Sequence, residues 1–218
     1  MKTKKYELVA EKSIEYCGLK LFRIRALISF GVVSAGEEGG FVESEKNVDQ
    51  SGNAWVSGNA WVSGNAWVSG DARVFGNAQV YGDAQVYGNA QVSGNAWVSG
   101  NAQVYDDARV YGDARVSDNA MIPDETQILW MSNVGGELGT LTAFRNSLGG
   151  ITVTRGCFIG TLDEFRTAVT TKYGGTLLET GYLRLANYIE WHLTELHPLN
   201  NIEDFFNRQS EESQSESV

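Results

Sequence analysis

The chain has 218 residues, with 27 acidic against 17 basic side chains and a net charge of −10. That length accommodates one regular domain plus a further small one. The acidity argues against wrapping nucleic acid, and no apolar run reaches the roughly 20 residues that span a bilayer.

Cys17 and Cys157 form neither a metal-ligand spacing nor a disulfide framework. The N-terminus, with Lys2, Lys4 and Lys5, is too polar for a signal peptide. A reduced, cytoplasmic protein without membrane contact is expected. Residues 1–50 read as a β-structured cap and an irregular first coil. Tyr6 to Ala10 has strand composition, and residues 19–28 alternate apolar and basic side chains, as a half-exposed strand does. Val42 and Val48 then stand six apart.

That interval takes over between residues 51 and 123, where Gly-Asn/Asp-Ala-X-Val-Ser/Tyr recurs. Valine returns every six residues from Val56 to Val116, Ile122 closes the series, and alanine stands two residues ahead of each. A period of six matches neither a helix nor a plain strand. It matches a short strand and a corner, with Ala and Val inward, X outward, and Gly-Asn or Gly-Asp turning the chain. Three sides per coil give about four regular coils.

The hexad, an aliphatic residue followed four positions later by a small one, resembles that of the left-handed parallel β-helix. With the segment Gly39-Gly-Phe-Val-Glu ahead of it, residues 4–122 resemble the YdcK-like hexapeptide-repeat proteins. The resemblance implies a mainly β protein built on that helix. The wider hexapeptide family includes acyltransferases, but the hexad specifies a fold and not an activity.

Outward residues eighteen apart share a side: Trp55, Arg73, Gln91 and Arg109; Trp61, Gln79, Trp97 and Arg115; Trp67, Gln85, Gln103 and Met121. The positions after each Val add Phe75, Tyr81, Tyr87, Tyr105 and Tyr111. Trp, Tyr and Arg are enriched at interface hot spots. The candidate partner-binding or oligomer-interface residues are therefore Trp55, Trp61, Trp67, Arg73, Tyr81, Tyr87, Trp97, Tyr105, Arg109, Tyr111 and Arg115. The threefold packing of related β-helices implies a homo-oligomer, a trimer or dimer, that buries at least one side.

After Pro123 the period stops, and residues 124–200 read as a small α+β module of ββαα type. Strands are expected at 127–131, 140–145 and 151–154. A helix is expected from the Thr161…Glu164 capping box to Tyr173, before Gly174-Gly175. A second, from about 181 to 196, sets Leu185, Ile189, His192/Leu193 and Leu196 on one face, and His197-Pro198 ends it. Residues 201–218, rich in Ser, Glu and Gln, read as an acidic disordered tail. The strings Gly139-Thr-Leu-Thr-Ala-Phe, Gly150-Ile-Thr-Val, Gly156-Cys-Phe and Gly160-Thr-Leu-Asp-Glu-Phe resemble a terminal domain found behind repeat and phage-associated proteins. That implies a phage or mobile-element origin, with a host defence component as the natural target.

Hexapeptide acyltransferases use a histidine general base, yet residues 1–191 contain none, so no catalytic residue is expected. Cys157 with His192 or His197 and Asp163 is the one nucleophile, base and orienter set to weigh. Cys157 reads instead as a small buried residue between strand and helix. Asp163 and Glu164 suit the first turn of a helix. No cofactor is expected, and no metal, because two histidines five apart beside a proline do not make a ligand set. The expected function is a non-enzymatic binding or scaffold protein that presents an aromatic-rich β-helix face and its terminal module to a protein partner. The alternatives are an acyltransferase-like enzyme with a non-standard base and a self-assembling structural element.

Overall fold

The computed structural model describes residues 4–198; the tail expected over 201–218 lies outside the described residues. The repeat folds as anticipated. Every Ala and Val of the hexads is buried, from Ala54 and Val56 to Ala120 and Ile122, and each Ala-X-Val contributes a two-residue strand. One sheet stacks β4 (Trp55–Val56), β7 (Arg73–Val74), β10 (Gln91–Val92) and β13 (Arg109–Val110). A second stacks β6 (Trp67–Val68), β9 (Gln85–Val86), β12 (Gln103–Val104) and β15 (Met121–Ile122). The third contains β5 (Trp61–Val62), β8 (Gln79–Val80), β11 (Trp97–Val98) and β14 (Arg115–Val116). All pair in parallel with a register of eighteen, as in Trp61↔Gln79 and Trp97↔Arg115.

Corners need a left-handed residue, which is glycine in most copies and aspartate at Asp106 and Asp118. Gly94 has φ +69°, and a Cβ there would stand 2.8 Å from the Gly112 nitrogen of the next coil. The adjoining Asn and Asp side chains form ladders along the corners. Asn59 donates to Asn77 at 3.3 Å, Asn77 to Asn95 at 3.2 Å, and Asn95 to Asp113 at 3.0 Å. Asp71, Asp83 and Asp107 likewise receive an amide from the coil before. An ionised carboxylate only accepts, so Asp is suited to the receiving end of such a ladder.

The N-terminal segment extends the third sheet. β1 (Tyr6–Tyr16) and β2 (Leu19–Ala26) form an antiparallel hairpin, β2 pairs with β3 (Glu38–Val42), and β3 pairs in parallel with β5 through Phe41↔Trp61 and Val42↔Val62. Val48 bridges Val68. The irregular first coil is thus present, and the solenoid makes about five turns.

Backbone N–H groups of one coil donate to carbonyls of the next, as in Trp55 N to Ala72 O at 3.0 Å. Carbonyls at the N-terminal end consequently need donors from outside the coils. The Lys5 ammonium supplies Ser51 O and Ala54 O at 3.1 and 2.9 Å, and the Tyr6 hydroxyl lies 2.9 Å from both Glu45 O and Val48 O. The Asn47 amide reaches Gly64 O and Ala66 O.

At the other end lies an antiparallel sheet of β16 (Ile128–Val134), β17 (Gly139–Arg145), β18 (Ile151–Arg155) and β19 (Phe158–Thr161), backed by α1 (Leu162–Tyr173) and α2 (Leu177–Trp191). Strand alternation divides its residues between two cores. Ile128 and Phe144 join the solenoid core, while Leu141, Ala143, Ile151 and Val153 pack with Phe165, Val169, Ala186 and Ile189 of the helices. The module therefore closes the solenoid with one face of its own sheet.

Three expectations need correction here. A fourth strand, β19, precedes α1. The second helix starts at Leu177 and not near 181, because Thr176 caps it by accepting from the Glu179 nitrogen at 3.3 Å; Thr176-Leu-Leu-Glu is itself the capping-box pattern. Its buried stripe is Tyr182, Ala186, Ile189 and Leu193, leaving Leu196 48% exposed.

Candidate functional site

The outward rows fall as the spacing requires, but their surroundings differ. Trp55 is 3% exposed. The cap closes over it, with Tyr6 and Phe30 at ring-centroid distances of 6.2 and 5.4 Å. Gly39 permits the approach, since a Cβ there would lie 2.7 Å from the Trp55 ring. Trp55 therefore belongs to the chain's own core and is not a contact surface. Tyr105, stacked on Tyr87 at 5.2 Å, is also buried.

Trp61, Trp67, Trp97, Tyr81 and Tyr87 are half-buried, whereas Arg73, Arg109, Arg115 and Tyr111 are exposed. The third sheet brings several of them together. Tyr81 stacks on Trp61 at 5.7 Å, Tyr16 of β1 adds a ring at 5.6 Å, and the Arg115 guanidinium lies 4.7 Å over the Trp97 ring. Gln79 stands between the two tryptophans in the ladder. Arg73 lies over Phe75 at 5.8 Å, on a different side. The candidates are thus spread over three sides, and Trp61, Tyr81, Trp97 and Arg115 gather along the third sheet as a strip of two contacting pairs with Gln79 between the tryptophans.

Arg115 is fixed at its backbone too. As the last rung of its sheet it has no further coil to pair with, and two threonines of the terminal module serve in its place. Arg115 N–H donates to Thr142 Oγ1, and Thr154 Oγ1 donates to Arg115 O, both at 3.0 Å.

A second feature lies at the same end. An open cleft of about 410 Å³ is lined by Tyr111, Glu125, Thr126, Ile128, Leu129, Trp130, His192 and His197. Tyr111 meets Trp130 edge-on at 4.4 Å. After α2 the chain winds more widely, as a π-helical segment over His192–Leu196 in which His197 N–H donates to His192 O at 3.0 Å. The imidazoles of His192 and His197 stand 4.8 Å apart between centroids. Burial, and then the neighbouring His197, lower the His192 pKa. Its Nδ1 is buried without a hydrogen-bond partner.

Sequence reasoning placed no site here. Five positions along an α-helix are separated by about 140°, and only the π winding returns the fifth residue to the same side. Of the other residues weighed from sequence, Cys157 departs from expectation, while Asp163 and Glu164 take the first turn of the helix as expected. Cys157 is exposed in the β18–β19 turn instead of buried. Asp163 pairs with Arg166 at 3.0 Å, and the Glu164 carboxylate accepts from Thr161 N–H at 2.8 Å. No group of three or more His, Cys, Asp or Glu is arranged to hold a metal among the described residues, and no helix among them is long and apolar enough to cross a membrane.

A search of curated proteins gives no match. Among known families, the YdcK beta solenoid repeat matches residues 54–70, 66–82, 84–100 and 102–117. Those four segments are coils that carry the outward rows, and over them the chain is similar to that repeat.

Proposed function

We propose that the protein is a non-enzymatic binding scaffold whose third sheet, with Trp61, Tyr81, Trp97 and Arg115, contacts protein. The observation that carries this reading is the gathering of four candidates along one sheet, while Trp55 and Tyr105 are buried within the chain. Stacked rings and a guanidinium held on a ring lose little side-chain freedom on binding, which favours contact at modest entropic cost. Self-association as a dimer or trimer buries the strip between copies, as closed symmetry allows. The terminal module, held at the solenoid's end, is then left for a second partner.

A phage or mobile-element origin, a host defence component as that partner, and a cytoplasmic setting belong to the same proposal. The first two rest on the resemblance of about residues 128–175 to terminal domains of phage-associated proteins, and the last on two cysteines that form no disulfide framework. Light scattering on the full chain tests the first part. A dimer or trimer that becomes monomeric with Trp61→Glu and Trp97→Glu supports it. A wild-type monomer at high concentration removes self-association, and capture from host lysate that fails to separate wild type from the double variant removes the strip as a contact surface.

A further inference from the structure

Neither the cap nor the scaffold reading uses the two histidines, although they are the only ones in the chain. The π turn turns both toward one open cleft, 4.8 Å apart between ring centroids. A metal about 2.0–2.1 Å from one nitrogen of each ring places the centroids roughly 5 Å apart. The separation thus fits one ion shared by two imidazoles with modest side-chain adjustment. The unpartnered Nδ1 of His192 is an unused polar atom of the pair. Glu125 lines the same cleft from the short helical turn Glu125–Gln127, and Gln127 ties that turn to the segment by donating to His197 O at 3.3 Å.

We propose that His192 and His197 bind one divalent transition-metal ion of the imidazole-preferring class, such as Zn²⁺ or Cu²⁺, with water completing the coordination and Glu125 facing that water. Imidazole favours these ions over Mg²⁺ and Ca²⁺, which take oxygen ligands. Two protein ligands give an open and exchangeable site, unlike the closed four-ligand sites that are structural. Both ligands come from the one turn that follows α2, and only the water-mediated Glu125 contact reaches the short turn after β15.

The composition makes the test direct, because within one chain two histidines bound to one ion can only be this pair. Untagged full-length protein is titrated with Cu²⁺ and followed by electron paramagnetic resonance, and with Zn²⁺ by calorimetry. One ion per chain, with nitrogen hyperfine structure from two imidazoles, is the expected result. His192→Asn and His197→Asn should each weaken binding by about a hundredfold, and Glu125→Gln, which acts through the water, by about tenfold. A spectrum with fewer than two nitrogens overturns the proposal, as does Zn²⁺ affinity unchanged in both histidine variants. A two-nitrogen signal lost on dilution to monomer assigns the histidines to two chains and overturns it equally. If either variant unfolds by circular dichroism, the wild-type spectrum and its dilution series decide.

Discussion

Thr142 and Thr154 show how much a single side chain carries where a regular ladder stops. Both are buried, at 1% and 8% exposure, and their hydroxyls meet the forward-facing N–H and C=O of Arg115. Replacing either by valine keeps the shape but strips the partner from a backbone group at the junction, which costs about 1–3 kcal/mol. Urea unfolding of Thr142→Val and Thr154→Val should show losses of that size, with the double variant losing less than the sum if water then enters to serve the peptide. A shift below a few tenths of a kcal/mol would mean that Arg115 is already hydrated. Arg145 has a related role. It is 7% exposed, its guanidinium donates to Gly149 O at 2.8 Å and to Leu193 O, and burial lowers its pKa. From sequence these residues are three polar positions in strands. Nothing in Thr-Leu-Thr-Ala-Phe-Arg says that the threonine face meets another backbone.

At the level of elements, the N-terminal cap joins a hairpin to the open end of the solenoid and leaves a pH signature. Burial lowers the Lys5 pKa from 10.5 to about 8, partly offset by Asp49. The unfolded chain therefore holds that proton more tightly, and stability should rise as pH climbs from about 8 toward 10. A neutral amine still has two hydrogens for Ser51 O and Ala54 O. Tyr6 works the other way. Burial first, then Glu45 and Asp49, raise its pKa, so the folded chain keeps a proton that the unfolded chain releases above about pH 10, and stability falls there. Denaturation midpoints between pH 7.5 and 10.5 should pass through a maximum. Lys5→Met should flatten the rising limb and leave the falling one; a rising limb that survives this substitution would assign it to another group. The second helix teaches a similar lesson from the opposite side. Its start was legible in Thr176-Leu-Leu-Glu179, but Gly181 suggested a boundary, and a glycine within a helix is tolerated at about 1 kcal/mol.

Across the whole molecule, each coil touches only its neighbours, and two unlike caps close the ends. A quasi-one-dimensional stack of this kind loses structure from its ends. Amide exchange should be slowest in the central coils, around Val80 to Val98, and faster toward Gly52 and Pro123; uniform protection through all coils would indicate that the caps melt with the stack as one cooperative unit. The sequence by itself determined the solenoid, its corners, its buried Ala and Val and the vertical rows of outward residues, because an eighteen-residue coil converts spacing directly into position. Only the tertiary structure decided what those rows are for. Trp55 has the same hexad position as Trp61, yet Tyr6 of the N-terminal hairpin and Phe30 beyond it bury one and leave the other half-exposed. His192 and His197 look splayed at helical spacing, yet a wider turn brings them onto one cleft. Both outcomes depend on contacts between segments remote in sequence or on a departure from regular winding, and a repeat period encodes neither.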